Sequence, residues 1–326
     1  MIKKREKWFL VFSVIFLVFL YLLSSTDLII KERRQEICPV SVVADTTSDE
    51  YYTNFKKGMD QAAIEFHADV RFITLYEENN ADQQVELLMR EQQDGAKALI
   101  TSAVDEAALE QALADKKISV PLVLSGTELP VDKVSAVVTT DFYEMGKMLA
   151  QKAVEENEPN SLFYIFGGEK ENEKCRRFYD GICAVLEKEG RTMVQIKDAG
   201  EGEVFRSTIE SLVYPEIREA VILTLDPKSL EMTADILAGS DVYQTYVKGL
   251  YGRGTTVKIL NDLDKEIIRG VCVTDEFSIG YLSVQQAVAA AKNQTIQNDS
   301  IVLQNYYIEK ADLRNPEYEK MLYPIE

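Results

Sequence analysis

The sequence alternates short apolar runs with amphipathic stretches along most of its length, and this alternation restricts the possible folds more than any other feature. Apolar segments such as VSVVA (residues 40–44) and EAVILTL (residues 219–225) recur about every 25–30 residues. In the stretches between them, apolar residues return every three or four positions, as Tyr52, Phe55 and Met59 do. Strands and helices in such alternation are typical of parallel sheets that are covered by helices on both faces. The sequence therefore predicts an α/β fold.

The alternation forms two series of similar length, which predicts two doubly wound lobes joined by a hinge. In the first series, strands are predicted over residues 40–44, 70–76, 96–101, 120–124 and 135–140. In the second, they are predicted over residues 161–167, 192–197, 219–225, 244–250 and 270–274, with a last strand over 301–309. We expect lobe 1 to hold about residues 38–140 and 276–300, and lobe 2 to hold about 141–275, with 301–326 returning across the hinge.

Helix-capping patterns follow several of the predicted strands. Asp141 is expected to cap the helix that leads from the first series to the second. Ser102 and Asp105 have the spacing of a capping box, and Asp226-Pro227 matches an N-cap followed by proline in the first helical turn. In open parallel sheets, ligands bind beyond the carboxyl ends of the strands, where such helix starts lie. With two lobes, the expected site is the cleft between them, closed by hinge motion.

An uncharged apolar run, residues 8–25, approaches the length that spans a bilayer. Basic residues precede it (Lys3, Lys4, Arg5 and Lys7), which by the positive-inside rule places the N-terminus in the cytoplasm. No small-residue cleavage motif follows the run, so an uncleaved anchor is favoured over a removed signal peptide. We expect a cytoplasmic tail over residues 1–7, a single-pass anchor over 8–25, a linker over 26–37 and an extracytoplasmic main domain.

The net charge argues against nucleic-acid binding, and the cysteine spacing argues against a disulfide. The formal net charge is −18, and an acidic chain lacks the clustered cations that displace counterions from nucleic acid. Four cysteines are present. Cys175 and Cys183 fall in one predicted helix about 12 Å apart, too far for a disulfide, so thiols are expected.

Catalytic and metal-binding patterns are not found in the sequence. His67 is the only histidine, so a Ser-His-Asp or Cys-His site has little to build on. There is no GxSxG motif, and no Cys or His spacing indicates a metal site. We expect no enzyme activity, no metal and no cofactor, and an exported hydrolase is the least favoured alternative.

Four segments together resemble the type I periplasmic binding proteins, the sugar-receptor family that shares its fold with lactose-repressor-type regulators. They are VVADTTSDEYYTNFKKGMDQAA (42–63), VVTTDFYEMGKMLAQ (137–151), KCRRFYDGI (174–182) and YGRGTTVKILNDLDKEIIRGVCVTDEFSIGYLSVQQAV (251–288). Their order and spacing carry the resemblance, which covers about residues 38–326. It implies a hinged two-lobe fold with a ligand between the lobes.

The resemblance also implies which residues meet the ligand. The family's ligand-facing loop after the first strand falls on Asp49, Tyr51 and Tyr52, and its arginine falls on Arg176. The hinge strand's polar position falls on Thr274 and Asp275, and a cleft-facing strand end falls on Asp226. Alternative interpretations remain for three of them. Tyr52 suits the helix core, Arg176 suits a solvated surface beside Arg177, and Asp226 suits helix capping.

Departures from the family pattern bear on the ligand. The chain has Ser125-Gly126-Thr127-Glu128 where sugar receptors often have Asp-Arg, and Leu225 in place of an asparagine. Tyr251 stands in place of a cleft aspartate, and the resemblance makes it the eighth expected ligand-binding residue. The only tryptophan, Trp8, lies in the apolar run, so stacking on a ligand falls to tyrosine or to Phe205. These losses remove bidentate partners for adjacent hydroxyls.

The sequence therefore predicts an extracytoplasmic solute-binding protein for a sugar or a related small polar ligand. It would dock on a sensor histidine kinase, or deliver the ligand to an ABC-type permease. The alternative is an interaction module whose degenerate cleft binds no ligand.

Overall fold

The computed structural model of the chain describes residues 4–25, 37–127, 133–167, 173–196, 202–213, 219–239, 245–296 and 298–323. The chain divides into two compact units, Met1–Ile37 and Cys38–Glu326. The predicted linker, except for Ile37, and Glu128 lie outside the described residues.

The first unit contains one helix, α1 (Lys4–Ser25), within its described part. Over residues 8–22 its large apolar side chains are exposed, as for Trp8 at 78%. Across the residues that the structure describes, none of the helices combines the length and the apolarity needed to cross a membrane. The anchor over residues 8–25 therefore stays a prediction.

The second unit is built on two six-stranded sheets. Its strands are β1 (Cys38–Val43), β2 (Ala68–Ile73), β3 (Ala98–Thr101), β4 (Leu122–Ser125), β5 (Ala136–Thr140), β6 (Leu162–Phe166), β7 (Thr192–Ile196), β8 (Ala220–Thr224), β9 (Val247–Arg253), β10 (Gly270–Thr274), β11 (Ser300–Leu303) and β12 (Asn305–Glu309). The strand orders are β11-β5-β4-β3-β1-β2 in lobe 1 and β12-β10-β9-β8-β6-β7 in lobe 2. All pairs are parallel except β10 with β12. The predicted pair of doubly wound α/β lobes is confirmed.

Helices cover both faces of each sheet. They are α2 (Thr53–Phe66), α3 (Ala81–Gln93), α4 (Glu106–Ala114), α5 (Phe142–Glu156), α6 (Glu173–Lys188), α7 (Gly202–Val213), α8 (Pro227–Ala238), α9 (Val257–Asp264), α10 (Glu276–Ala291) and α11 (Pro316–Leu322), with 3-10 turns at Glu50–Tyr52 and Lys310–Arg314. Each sheet separates two apolar clusters, which hold residues such as Phe55 and Leu88 in lobe 1 and Phe166 and Phe178 in lobe 2.

The caps follow the sequence patterns with one exception. Asp141 accepts hydrogen bonds from the backbone N–H groups of Tyr143 and Glu144 and so caps α5. The capping box expected for Ser102 is wrong, because Asp105 itself caps α4 by accepting from the Ala108 N–H.

The single strand predicted over residues 301–309 is also wrong. The structure divides this segment into β11, parallel to β5 in lobe 1, and β12, antiparallel to β10 in lobe 2. Apolar and aromatic residues that favour strands stand on both sides of Gln304 and Asn305, so the pattern predicts one strand through the division. The chain therefore crosses between the lobes here, as well as after β5 and after β10.

Each lobe contains one close helix pair built on glycine. In lobe 1, Gly58 of α2 faces α10, and a Cβ atom added there would lie 1.9 Å from the Phe277 carbonyl oxygen. In lobe 2, a Cβ atom added at Gly146 of α5 would lie 2.1 Å from the Phe178 carbonyl oxygen on α6. Backbones this close leave no room for a side chain, so both crossings depend on glycine.

Gly58→Ala should therefore destabilise the protein. The methyl group must force α2 and α10 apart, and overpacking of this kind costs about 1–3 kcal/mol. Denaturant unfolding measures the loss, with Gly239→Ala as the control, because the nearest atoms to a Cβ atom there lie at an ordinary 3.4 Å. Equal stability of the two variants would contradict the account of the helix crossing.

Candidate functional site

A cavity of about 470 Å³ lies between the two lobes, at the carboxyl ends of the strands of both sheets. Residues from both lobes line it, and the lining is rich in hydroxyl and charged groups. It includes Asp45, Thr46, Tyr51, Tyr52, Glu78, Ser102, Ser125, Thr140, Phe142, Lys174, Phe205, Asp226, Lys228, Arg253, Thr274 and Glu276. A volume of this size suits a small-molecule ligand.

The lobe 1 wall is organised around Asp45. Asp45 follows β1 and Ser102 follows the adjacent parallel strand β3, so both lie at the same edge of the sheet. The Ser102 hydroxyl donates to the Asp45 carboxylate over 3.0 Å, and the Tyr52 hydroxyl donates to its other oxygen over 2.6 Å. The site therefore presents a carboxylate held by two hydroxyls.

Gln84 holds the two loops that carry these groups. Its buried amide donates to the carbonyl oxygens of Ala44, over 3.1 Å, and Ser102, over 2.8 Å. Its own carbonyl oxygen accepts from the Val104 N–H over 2.9 Å. We did not single out Gln84 in the sequence, although a glutamine on the buried face of a helix with Leu87, Leu88 and Glu91 was a usable signal.

Lys174 connects the two walls of the cleft. It lies in the first turn of α6 in lobe 2, and its ammonium group donates to Asp45 and, over 2.7 Å, to the Ser102 hydroxyl in lobe 1. The side chains of Lys174 and Asp45 are only 13% and 11% exposed. Burial alone would raise the pKa of Asp45, but the charge and hydrogen bond of Lys174, with the Tyr52 and Ser102 hydroxyls, lower it below its usual value. Asp45 is therefore an anion under neutral conditions.

A second ion pair joins the lobes at the mouth of the cleft. The Lys228 ammonium group, on α8 of lobe 2, lies 3.0 Å from the Glu78 carboxylate of lobe 1. Both side chains are about two-fifths exposed (40% and 44%), so water and salt weaken this pair much more than the buried one. Both pairs set an acidic group of lobe 1 against a basic group of lobe 2.

Arg253 and Glu276 face the cavity from opposite lobes. The Arg253 Nε donates to the Leu225 carbonyl oxygen over 2.8 Å, and its guanidinium lies over the Phe142 and Phe178 rings, 5.5 and 5.9 Å from their centroids. Glu276 is the first residue of α10, and burial raises the pKa of its carboxyl to about 7. At neutral pH this carboxyl is thus divided between its charged and neutral forms.

The floor of the cleft is the hinge, where Asn305 joins the three segments that cross between the lobes. Its side-chain N–H donates to the Asp141 carbonyl oxygen over 2.7 Å, and its side-chain oxygen accepts from the Thr274 hydroxyl over 2.8 Å. The Thr140 hydroxyl also contacts that oxygen and lies 3.0 Å from the Leu303 carbonyl oxygen. Rotation of the lobes must therefore pivot about this buried amide.

The structure places four of the eight predicted site residues in the cavity wall. They are Tyr51, Tyr52, Asp226 and Thr274, and Phe205 lies there too. Tyr52 combines both interpretations weighed for it, because its ring packs on Phe55 and Phe72 while its hydroxyl binds Asp45. Asp226 caps α8, with its two oxygens accepting from the Ser229 N–H and hydroxyl. Their contact with a ligand stays a prediction.

Two other predicted residues lie outside the cavity lining and make local interactions. Asp49 is exposed and forms an ion pair with Lys56 over 2.7 Å. Asp275 caps α10, with its oxygens accepting from the Ser278 N–H and hydroxyl. Neither lines the cavity.

Arg176 and Tyr251 also lie outside the cavity lining. Arg176 is 61% exposed and pairs with Glu173, because the rotation of α6 turns the neighbouring Lys174 towards the cleft instead. Tyr251 is 1% exposed, and its hydroxyl donates to Glu156 over 2.8 Å and accepts from Asn157 over 2.9 Å inside lobe 2. The tyrosine that stands in place of the cleft aspartate is thus part of the lobe 2 core.

Comparison with known proteins adds a family and a fold. The sequence profile of the family described as periplasmic binding protein domain matches residues 40–295. No relative was found among curated proteins.

Three similar solved structures illustrate the fold. One is an ABC transporter solute-binding protein from Agrobacterium vitis bound to α-D-tagatopyranose, with a TM-score of 0.77 and 16% identity over 88% of this chain and 100% of that one. Another, from Burkholderia graminis in complex with D-arabinose, has a TM-score of 0.76 and 16% identity over 87% of this chain and 99% of that one. A chain in the ligand-free TorS sensor domain–TorT complex has a TM-score of 0.75 and 17% identity over 89% and 98%.

Lys174→Met should shift the ligand-free protein towards an open cleft. The variant leaves Asp45 buried without its counter-ion, which costs about 3–5 kcal/mol in the closed form, and opening the lobes hydrates the carboxylate. Spin labels at Tyr76→Cys and Val257→Cys, in a Cys183→Ser background, report the distance between the lobes. Arg176→Met, two residues away on the same helix, is the control. Unchanged distances in Lys174→Met would contradict a latching role.

Glu276 should make stability fall as the pH rises. Its folded-state pKa, about 7, exceeds its usual 4.5, so the folded state binds the extra proton between these values and gains stability at low pH. We expect Glu276→Gln to remove about 2 kcal/mol of the stability difference between about pH 5.5 and 8. Denaturant unfolding at the two pH values measures this, with the exposed Glu144→Gln as control. A stability difference between the two pH values that is as large in Glu276→Gln as in the unmodified protein would refute the assignment.

Proposed function

Because this chain belongs to the family of periplasmic binding protein domains, we propose that it binds a small polar solute in the cleft and reports the closed state to a partner protein. The observation that carries this proposal is the cavity of about 470 Å³, whose polar lining comes from both lobes. A ligand that contacts both walls binds the closed form better than the open form, and that difference drives closure.

The lining supports binding of a polar molecule without chemical conversion. Asp45, Ser102 and Thr274 offer carboxylate and hydroxyl groups, and burial raises the pKa of the Tyr51 hydroxyl to about 12, so it remains a donor. Phe205 and Phe142 supply apolar faces. Related solute-binding structures hold D-arabinose and tagatopyranose, which supports a sugar or a molecule of similar size here.

A sensing role is favoured over delivery to a permease. The fold is shared with a chain in the TorS sensor domain–TorT complex, and a permanent anchor would suit a protein that signals from one place. The partner would be a sensor histidine kinase that recognises the surface formed when the lobes close. Delivery to an ABC permease remains the competing role, because many similar structures are ABC transporter solute-binding proteins.

A ligand-free interaction module is the second candidate. The Lys174–Asp45 pair favours it, because this pair joins the lobes through groups of the protein alone. In that case the cleft would have no solute to exchange, and only the outer surface would act.

The apolar run over residues 8–25 is proposed to hold the chain at the cell membrane, with residues 38–326 on the extracytoplasmic side. The run contains no charged residue, and its large apolar side chains over residues 8–22 are exposed, with Trp8 at 78% and Tyr21 at 71%. Washing membranes with alkaline carbonate should leave the full chain in the pellet and release a form that lacks residues 1–37. Release of the full chain would contradict the anchor.

A thermal-shift screen of small polar solutes tests the binding function. A true ligand at 100 times its Kd adds about 2.7 kcal/mol of stability, and Tyr51→Ala should weaken binding about tenfold through loss of one ring and one hydroxyl. Tyr76→Ala is the control, because Tyr76 is 72% exposed outside the cavity. If no solute in a broad panel shifts the transition, the ligand-free module is the better account.

A further inference from the structure

The two walls of the cleft carry opposite charges. The acidic groups of lobe 1 are Asp45, Glu78 and Glu276, and the basic groups of lobe 2 are Lys174, Lys228 and Arg253. One further carboxylate, Asp226, lies on the lobe 2 wall, where Ser229 occupies both of its oxygens. Asp45 meets Lys174 and Glu78 meets Lys228. The third couple, Glu276 and Arg253, is not in contact.

Arg253 is a cation whose position is set by neutral groups. The Leu225 carbonyl oxygen holds its Nε, the Cys175 sulphur lies 3.6 Å from one terminal nitrogen, and aromatic rings of α5 and α6 flank its plane. Within the described residues it forms no ion pair. A partly buried guanidinium fixed in this way has a fork of N–H donors available, which is the geometry that binds a carboxylate with two hydrogen bonds.

Glu276 is the matching carboxyl group on the opposite wall, and a cation bound beside it would favour its charged form. In the described part of the chain, its carboxylate has no hydrogen-bond or ion-pair partner, and both Lys174 and Arg253 act on it only through their charges at a distance. The dipole of a helix favours one acidic group at its N-terminus, but Asp275, the cap of α10, already fills that role. A desolvated carboxylate that has no hydrogen-bond donor is stabilised most by a donor that carries a positive charge.

We infer that the ligand is a small dipolar molecule whose anionic group binds Arg253 and whose cationic group binds Glu276. The inference rests on the proposed binding function and names its substrate class. Amino acids with separated charges belong to this class, and betaines match its charges without an N–H donor.

Other ligand charges fit the cleft less well. A neutral sugar could hydrogen-bond to both ionic groups, but it carries no charge that offsets either of them. An anion alone would leave Glu276 uncompensated, and a cation alone would leave Arg253 uncompensated. A dipolar ligand instead completes the third couple between the lobes, so its binding favours closure in the same sense as the two ion pairs of the protein.

Calorimetric titration of the full-length protein with matched probes tests the inference. The dipolar probes are the ω-amino acids from glycine to 6-aminohexanoate, which vary the separation of the charges, and glycine betaine. Butyrate and butylamine keep one charge each of 4-aminobutyrate, and D-arabinose is the neutral probe. The best dipolar probe should bind at least about tenfold more tightly than the probes with a single charge and D-arabinose.

Two variants separate the contributions of the charges. Glu276→Gln should lower affinity for the best dipolar probe to the level of butyrate, and Arg253→Gln should lower it to the level of butylamine. Arg253→Lys keeps the charge without the fork and should bind with intermediate affinity, which covers the case in which Arg253→Gln does not fold. Arg176→Gln, whose side chain is exposed and outside the cavity, should bind like the unmodified protein.

The possible outcomes distinguish this inference from the proposed function. Tight binding of D-arabinose, with affinities unchanged in the Glu276 and Arg253 variants, would overturn the dipolar class and leave solute binding intact. Selective binding of butyrate or of butylamine would overturn it as well. If none of the probes and no solute of the wider panel binds, the proposed function itself is wrong.

Discussion

The buried ion pair between Asp45 and Lys174 is the interaction on which the arrangement of this protein depends. It joins an acidic group of lobe 1 to a basic group of lobe 2 through side chains that are nearly inaccessible to water. Removing two charges from water costs about as much as their attraction returns, so such a pair contributes little net stability. It specifies geometry instead. The Lys174 ammonium group reaches both Asp45 and the Ser102 hydroxyl only when the lobes meet in one orientation.

The hinge makes that orientation reachable. The three crossing segments are joined at Asn305, and each lobe has its own core and its own glycine-dependent helix pair. The lobes are therefore rigid bodies, and the segments between them absorb the motion. The proposed ligand would act at the cleft floor and walls, where small rotations separate or join the charged groups. Closure thus depends on attraction between charged groups that are carried by two rigid lobes.

Much of the fold and less of the site could be predicted from the sequence. The strand and helix periods identify both lobes because burial imposes those periods directly. Asp141 and Asp226 were recognisable because caps depend on adjacent residues. Lys174 could not be told from Arg176, because the start of α6 decides which of them faces the cleft. Residues 301–309 look like one strand in the sequence. Their division into β11 and β12 arises because each half pairs with a different sheet, and only the tertiary structure brings those sheets together.

The central claim is that the cleft closes by pairing Asp45 with Lys174, and a double-mutant cycle on the distance between the lobes tests it most directly. Spin-label distances would be measured for the ligand-free protein, Asp45→Asn, Lys174→Met and the double variant, and converted into populations of closed protein. If the two groups act on closure through each other, the double variant opens no further than the more open single variant, a coupling of about 1–3 kcal/mol. Additive effects of the two substitutions would contradict the account.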